Sequence, residues 1–265
     1  MTDTTKKKKR TALITGASLG IGRALALRFA NDGHDVVLVA RSKPKLDELA
    51  KELEAKGVSA RVVAVDLAAD GAVDAIASAV KGVDVDYLVN NAGFGSNGEF
   101  VDLPLATELA MIDLNCRVLV ELCHVFGKQM RDRKSGRIMN IAPTAGFLAG
   151  PYMSTYYATK NFVVAFSEGL DVELRPHGVS VTCHCPGATA TNFASAAGAD
   201  KSGLFKAGAA VAGVDDVADH AYAAMMRGAG VSVHGLMNWI GAHVGSLAPR
   251  AVPISLAARM NRTKA

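Results

Sequence analysis

The stretch that decides the fold is Thr11-Ala12-Leu13-Ile14-Thr15-Gly16-Ala17-Ser18-Leu19-Gly20-Ile21-Gly22. Its apolar first half predicts a strand, and the pattern of apolar residues from 25 to 30 predicts a helix after the glycines. Glycines let the backbone turn tightly and approach a pyrophosphate, and the helix offers that anion unpaired N–H groups and the positive end of its dipole. The spacing is GxxxGxG, whereas the standard fingerprint is GxGxxG. We therefore predict a dinucleotide-binding turn at the head of the first helix.

The same alternation of strand and helix continues along the chain. Further strands are predicted at 35–40, 60–65, 87–90, 137–141 and 179–184, and helices at 44–56, 73–80, 105–130 and 155–175. Repeated βα units with apolar strands are typical of a parallel sheet that is covered on both faces. The sequence therefore predicts an α/β fold.

Composition limits the domain organisation and the partners. A chain of 265 residues with 50% hydrophobic content favours one large domain, which we place at 11–265. Residues 1–10 contain five basic residues and one acidic one, and the rest of the chain is balanced at 24 of each sign. A neutral body argues against an extended nucleic-acid surface.

The basic run at 6–10 is interpreted as the end of a solvated, disordered leader spanning 1–10, with a nuclear signal or an anchor to an anionic surface as alternatives. No apolar segment typical of a secretory signal follows it. The four cysteines, Cys116, Cys123, Cys183 and Cys185, lack the spacing of a zinc site. We expect reduced thiols, no metal, and a cytoplasmic protein.

The end of the second predicted strand bears on the choice of cofactor. In dinucleotide folds this position faces the adenosine ribose, where a carboxylate binds the 2′-hydroxyl of NAD. Here the residue is Ala40 and Arg41 follows, which favours the 2′-phosphate of NADP(H) over NAD(H). The alternative is that Arg41 only begins the next helix. Asp66, after the third strand, either contacts the adenine edge or caps the next turn.

Tyr156 and Lys160 form the candidate acid–base pair. They are four residues apart, so on a helix they share one face. A free tyrosine has a pKa of about 10, so an enzyme that uses one at neutral pH needs a nearby positive charge to lower it. Lys160 could supply that charge.

Five motifs occur in order: the glycine turn up to Gly22, Asn90-Asn91-Ala92-Gly93, Asn115, the pair Tyr156 and Lys160, and Pro186-Gly187. As a set they resemble the short-chain dehydrogenase/reductase family over residues 11 to about 191. The resemblance implies a single three-layer Rossmann domain with a doubly wound, seven-stranded parallel sheet. It also implies NAD(P)-dependent interconversion of a small-molecule carbonyl and an alcohol, in a homo-oligomer that is a dimer or a tetramer.

The resemblance also implies roles for individual residues. Tyr156 would be the general acid, Lys160 would lower its pKa and bind the nicotinamide ribose, and Asn115 would reshape its helix and hold a water that links Lys160 to a proton relay. The implied cofactor-binding positions are Gly16, Ser18, Leu19, Gly20, Ile21, Gly22, Arg41, Asp66, Asn91, Ala92, Gly93, Tyr156, Lys160, Pro186, Gly187, Thr189 and Thr191.

The sequence departs from the family pattern at Pro143. The family places a catalytic serine 13 positions before the tyrosine, and proline has no hydroxyl to polarise a carbonyl. Loss of such a donor typically costs about 10²–10³ in rate. Thr144 carries a hydroxyl, but a shift of one residue in extended chain turns the side chain to the opposite face. Asn161, where the family usually has a small apolar residue, is either a surface position or an amide near the cofactor.

Two segments after Thr191 are expected to cover the site. Residues 192–213, rich in Ala, Gly and Ser, suit a substrate loop, with a plain connection as the alternative. Residues 228–249 contain no charged side chain but five glycines, which argues against a transmembrane helix. Apolar residues there recur at helical spacing, so we predict a C-terminal helical extension at 234–265 that covers the pocket or forms an oligomer contact. A peripheral membrane-surface helix is the alternative.

These observations favour an NADP(H)-dependent reductase of an apolar ketone or aldehyde, weakened or altered by loss of the serine. Two alternatives stay open. The chain could bind the cofactor without redox turnover and act as an interaction or regulatory protein. It could also act on an imine, or perform acid–base chemistry without redox.

Overall fold

Seven strands form one parallel sheet in the part of the chain that the computed structural model describes, residues 9–199, 211–244 and 249–262. The strands are β1 Thr11–Thr15, β2 Asp35–Ala40, β3 Ala60–Ala64, β4 Val85–Asn90, β5 Gly136–Ile141, β6 Val179–Cys185 and β7 Val231–Val233. Their order is β3-β2-β1-β4-β5-β6-β7. The chain winds outward from β1 to β3 and then returns to β4 beside β1, so the predicted doubly wound sheet is confirmed.

Helices cover both faces of this sheet. They are α1 Gly20–Asn31, α2 Lys43–Glu54, α3 Ala72–Ala79, α4 Leu105–Ile112, α5 Val118–Asp132, α6 Ser154–Leu174, α7 Phe193–Ala196, α8 Val214–Arg227, α9 Leu236–Val244 and α10 Ala251–Asn261. Short 3₁₀ turns lie at Phe100–Asp102, Thr144–Phe147 and Arg175–His177.

The two faces of the sheet carry separate apolar clusters. Successive residues of a strand point to opposite faces, so Leu13 packs with α3, α5 and α6, while Ile14 packs with α1, α2 and α8. Burial of both faces explains why the strands are continuous apolar runs rather than alternating ones. The predicted three-layer Rossmann architecture is confirmed.

Several element predictions need correction. The helix expected at 105–130 is interrupted by a π turn at Asp113–Arg117, and neither α8 nor β7 was located from the sequence. The predicted leader at 1–10 extends too far, because Lys9 pairs with Asp35 at 2.8 Å and Arg10 donates a hydrogen bond to the Tyr87 hydroxyl at 3.1 Å. The last two leader residues are therefore attached to the sheet.

Parts of three predictions lie outside the described residues. These parts are residues 1–8 of the leader, 200–210 of the substrate loop, and 245–248 and 263–265 of the C-terminal extension. Within the described ranges, none of the helices has the length and apolar character needed to cross a membrane.

Candidate active site

The glycine turn between β1 and α1 packs so closely that side chains are excluded. A Cβ atom at Gly22 would lie 2.4 Å from the carbonyl oxygen of Gly16 and 2.5 Å from Nδ2 of Asn91. Gly16 itself has φ +64°, a conformation that favours glycine. The turn is therefore a backbone-lined cradle at the N-terminus of α1, the arrangement that a pyrophosphate requires.

Asn91 joins the end of β4 to this cradle. Its Nδ2 donates to the carbonyl oxygens of Thr15 at 3.0 Å and Gly16 at 3.3 Å. In return, the hydroxyl of Thr15 accepts the N–H groups of Asn91 at 3.0 Å and Ala92 at 3.1 Å. Thr15 is not among the predicted site residues, although its place directly before the glycines is the signal that could have identified it. These bonds hold β1 and β4 together at the point where the strand order reverses, which is where open α/β sheets bind ligands.

The segment after β6 reaches the same cradle. A Cβ atom at Gly20 would lie 3.2 Å from Cγ2 of Thr191, so the two predicted cofactor positions are neighbours. The hydroxyl of Thr189 donates to the carbonyl of Gly187 at 3.0 Å, and the carbonyl of Pro186 accepts the N–H of Thr144 at 2.9 Å. The loops after β5 and β6 thus converge on the head of α1.

The remaining residues that were predicted to bind the cofactor lie around the glycine cradle. Leu19 is exposed, Ser18 and Ile21 are half-buried, and Arg41 is exposed directly after β2. The Asp66 carboxylate accepts the N–H of Ala68 at 3.1 Å, which favours the turn-capping interpretation of Asp66. The structure therefore brings together the glycine turn, the segment 91–93 and the segment 186–191, with Arg41 at the neighbouring strand end.

Asn115 lies in the π turn between α4 and α5 and is almost completely buried. Its Oδ1 accepts the N–H of Phe94 at 3.2 Å, and its Nδ2 donates to the Phe94 carbonyl at 3.0 Å and to the Thr159 hydroxyl at 3.1 Å. Such π turns occur frequently at functional sites. The helix is reshaped at this residue, and the amide ties the segment after β4 to α6.

Tyr156 and Lys160 share one face of α6, and both side chains are buried. The Lys160 Nζ lies 5.8 Å from the centroid of the Tyr156 ring and donates to the carbonyl of Ile141 at 3.3 Å. A Cβ atom at Gly93 would be 2.9 Å from Oδ1 of Asn115 and 3.2 Å from this Nζ. Asn115 and Lys160 therefore meet beside Gly93, and the Tyr156 ring lies beside Gly95, where a Cβ atom would be 3.1 Å from its Cδ2.

Burial determines the protonation of this cluster. The pKa of Tyr156 is raised above its ordinary value, mainly because burial penalises the phenolate, with a smaller effect from Tyr157. The net shift of the Tyr156 pKa is therefore upward, and a lowering of this pKa by Lys160 stays a prediction. Burial also lowers the pKa of Lys160 from 10.5 to about 8. At neutral pH Tyr156 keeps its proton, as a general acid must.

The lowered pKa of Lys160 predicts a pH-dependent stability. Between pH 8 and 10.5 the unfolded chain binds more protons at this lysine than the folded chain, so folded-state stability rises with pH in that window. Relative to Lys160→Met, the native protein should gain about 3 kcal/mol of unfolding free energy from pH 7 to pH 10.5. Denaturant unfolding at several pH values measures this gain. Lys128→Met, which removes a surface lysine, is the control, and parallel profiles for both variants would contradict the prediction.

Pro143 lies between β5 and the turn Thr144–Phe147, with φ −55° and ψ 167°. It is half-buried, and its carbonyl accepts the N–H of Gly146 at 2.7 Å. Thr144 is held through its own N–H by the Pro186 carbonyl. The position of the family serine therefore offers no hydroxyl, although its backbone is well anchored.

Asn161 has a role that neither sequence interpretation anticipated. Its Nδ2 lies 3.2 Å from the carbonyl oxygen of Ala145, 2.8 Å from that of Leu148 and 2.8 Å from that of Tyr157. The half-buried amide fastens the turn after Pro143 to α6. It is neither a solvated surface group nor an amide aimed at the cofactor cradle.

The C-terminal segments cover the catalytic side chains. The Phe193 ring, on α7, lies 5.1 Å from the Tyr156 ring between centroids. Asn238 on α9 reaches Gly187, where a Cβ atom would be 2.4 Å from its Nδ2. Asn261 on α10 is fully buried and accepts the Tyr157 hydroxyl at 3.3 Å. Helices α9 and α10 thus lie within the predicted extension at 234–265 and contact segments next to Tyr156, while a cover over a pocket stays a prediction.

Comparison with known proteins decides the family. A model described as short chain dehydrogenase matches residues 10–202, which is well over half of the chain. The chain belongs to the short-chain dehydrogenase family. The resemblance drawn from the five motifs is confirmed.

Individual relatives of this short-chain dehydrogenase act on ketones or bind NADPH, as their names state. A very-long-chain 3-oxoacyl-CoA reductase from Podospora anserina is 36% identical over 66% of this chain and 53% of its own length. The chain therefore spans about half the length of this curated relative. A short-chain dehydrogenase from Sphingobium yanoikuyae in complex with NADPH superposes with a TM-score of 0.80, at 35% identity, over 90% of this chain and 95% of that one. A bulky-bulky ketone specific alcohol dehydrogenase from Comamonas testosteroni has a TM-score of 0.78, at 30% identity, over 91% and 93%.

The four cysteines, which all lie in the described residues, are not joined in disulfides. Cys183 and Cys185 point to the same face of β6 with their sulfurs 3.9 Å apart. Burial raises the pKa of Cys123 to about 12, which makes it unreactive. Across the described ranges, no group of three His, Cys, Asp or Glu side chains is arranged to hold a metal ion.

Proposed function

We propose that this short-chain dehydrogenase reduces an apolar ketone or aldehyde to an alcohol with NADPH, and catalyses the reverse oxidation with NADP⁺. The observation that carries the proposal is that buried Tyr156, whose pKa is raised, shares one face of α6 with Lys160, and that Lys160 and Asn115 meet beside Gly93. This cluster lies at the same edge of the sheet as the glycine cradle, so a cofactor held there would reach the tyrosine.

The residues present fit a dinucleotide. The cradle at Gly16 and Gly22 leaves no room for a side chain, and Asn91 holds it in place. Arg41 is exposed at the end of β2, where its guanidinium would meet a 2′-phosphate. When bound, NADPH supplies the hydride. The NADPH complex of the Sphingobium yanoikuyae relative supports the choice of cofactor.

The side chains of this protein would then supply the proton and stabilise the charge that its transfer leaves. The Tyr156 hydroxyl would donate its proton to the carbonyl oxygen of the substrate. The Lys160 ammonium, held by the Ile141 carbonyl, would stabilise the resulting phenolate. Asn115 holds the Phe94 backbone in place beside them.

The walls of the site support an apolar substrate. The side chains packed around Tyr156 include Phe94, Met111, Leu148, Met153, Tyr157 and Phe193. Apolar walls with few polar groups are the usual form of a small-molecule site. The names of the Podospora anserina and Comamonas testosteroni relatives, which specify 3-oxoacyl-CoA and bulky ketones, agree with this class.

The test is cofactor oxidation with a panel of carbonyl compounds. The purified chain is mixed with NADPH or NADH and with 3-oxoacyl thioesters of increasing chain length, bulky ketones and short aldehydes. We expect NADPH oxidation with at least one apolar ketone and slower oxidation of NADH. Absence of turnover with every carbonyl, in a preparation that binds NADPH, would contradict the proposal.

Pro143 favours a second candidate, a protein of this family that binds NADP(H) and does not reduce ketones. Its site lacks the hydroxyl that would polarise a carbonyl. Tight NADPH binding without turnover of carbonyls or imines would support this candidate. Cytoplasmic location and a homo-oligomeric state remain proposals, to be tested by cell fractionation and by light scattering of the purified chain.

A further inference from the structure

The last two helices present apolar side chains to the exterior. On α9, Leu236 is 73% exposed and Met237 is 77% exposed. On α10, Val252 is 58% exposed and Leu256 is 57% exposed. We use the term C-terminal apolar face for the set Leu236, Met237, Ile240, Val252, Leu256 and Met260, all of which are exposed.

This exposure belongs to a helix that is firmly docked. The opposite side of α10 is buried through Ala257 and Asn261. The Asn261 Nδ2 donates to the Pro151 carbonyl at 3.0 Å, and its own carbonyl accepts Nδ2 of Asn97 at 2.9 Å. Val252, Leu256 and Met260 are spaced by four, so they share the outward side of the helix. The docking of α10 therefore fixes these apolar residues on its solvent-exposed side.

The charged residues in this part of the sequence have one sign. Residues 220–265 contain no aspartate and no glutamate, although the whole chain has 25 acidic residues. Arg250, Arg259 and Arg262 flank the apolar residues of α10, and all three are exposed. A symmetric contact between two copies would place these arginines against one another, which is unfavourable. An anionic surface would pair with them.

Apolar side chains beside arginines, with no acidic residue, are the pattern of helices that lie in a membrane interface. Leucine, valine and methionine enter the boundary of the acyl chains, while guanidinium groups reach the phosphates of anionic lipids. We propose that α9 and α10 bind the surface of a membrane that contains anionic phospholipid, through the C-terminal apolar face.

The C-terminal apolar face lies close to the candidate active site, which links membrane binding to the substrate. Asn261 of α10 contacts both Pro151 and Tyr157, and the Tyr157 ring lies 6.2 Å from the Tyr156 ring between centroids. A membrane bound at α10 therefore lies next to the cover of the candidate active site. This inference rests on the proposed function: the substrates are apolar carbonyl compounds that partition into lipid.

The experiment uses the full chain and two kinds of vesicle, phosphatidylcholine alone and phosphatidylcholine mixed with phosphatidylserine. We expect the chain to float with the mixed vesicles, to bind the neutral vesicles more weakly, and to lose binding as salt is raised. Failure to bind mixed vesicles at low salt would overturn the proposal.

Matched variants locate the contact. Val252→Asp and Leu256→Asp should each weaken binding to mixed vesicles about tenfold or more, because each replaces an apolar contact with the lipid by a charge. Arg259→Gln should weaken it about fivefold. Val172→Asp on α6, where the valine is 75% exposed outside this face, is the control and should leave binding unchanged.

Two results would overturn the assignment even if vesicles bind. One is equal binding by Leu256→Asp and Val172→Asp. The other is a change in molecular mass by light scattering for Leu256→Asp, which would make the face a contact between copies. Reduction of a water-soluble ketone without vesicles should be unchanged in all the variants. Absence of ketone reduction in the native chain would count against the proposed function. Vesicle binding does not require this activity, so it would still test the membrane proposal.

Discussion

Tyr156→Phe is expected to lower kcat for carbonyl reduction by about 10²–10⁴, the usual contribution of a positioned proton donor. The substitution removes only the hydroxyl. The ring would still pack against Phe193, with which its centroid distance is 5.1 Å, so the pocket should keep its shape. Single-turnover oxidation of NADPH measures the chemical step, and NADPH fluorescence shows whether the cofactor still binds.

The neighbouring residue provides a matched control for this prediction. Tyr157→Phe removes a hydroxyl that donates to Asn261 at 3.3 Å and leaves the proposed proton donor in place. Its kcat should stay within about tenfold of the native value, because it loses one hydrogen bond worth about 1 kcal/mol. If Tyr156→Phe keeps the native kcat, or if Tyr157→Phe loses as much kcat as Tyr156→Phe, Tyr156 is not the proton donor.

Pro143→Ser is expected to raise kcat for simple ketones by about 10²–10³, the effect of one hydrogen-bond donor directed at a developing oxyanion. The backbone at this position, φ −55° and ψ 167°, is open to serine. The anchors of the turn, the Pro143 carbonyl to the N–H of Gly146 and the N–H of Thr144 to Pro186, do not depend on the proline ring. Steady-state kinetics on one ketone, with the native chain in parallel, measures the gain.

Two further variants separate the hydroxyl from other causes. Pro143→Ala relaxes the same backbone without adding a donor, so it should show no gain. Thr144→Val removes the hydroxyl that directly follows position 143 in the sequence, and it should leave the native rate unchanged. An equal gain in Pro143→Ala would attribute the effect to flexibility. A large loss in Thr144→Val would identify Thr144 as the donor in this chain.

Pro143 and Asn161 act on the same turn. The proline begins it, and the Asn161 amide holds the carbonyls of Ala145 and Leu148 against α6. Two departures from the family pattern that looked unrelated in the sequence therefore belong to one structural unit. This unit packs in the apolar cluster that contains Tyr156, so we expect its rigidity to affect which substrates fit.

Much of the fold was accessible from the sequence because it depends on local patterns. Apolar runs separated by glycine turns predicted six strands and their parallel arrangement, since burial on both faces leaves a recognisable composition. The three-residue β7 was missed because so short a run carries no periodicity. The π turn at Asn115 was invisible to helical spacing, since the residues on both sides continue the same apolar pattern.

The sequence by itself determined that Tyr156 and Lys160 share a helix face and that a glycine cradle follows the first strand, because both depend on residues close along the chain. Only the tertiary structure decided the direction in which the pKa of Tyr156 shifts, since its burial under Phe193 and beside Phe94 joins segments distant in sequence. The same holds for Asn261, which reaches Pro151 from the last helix. Desolvation and long-range hydrogen bonds follow from packing, and no local pattern encodes them.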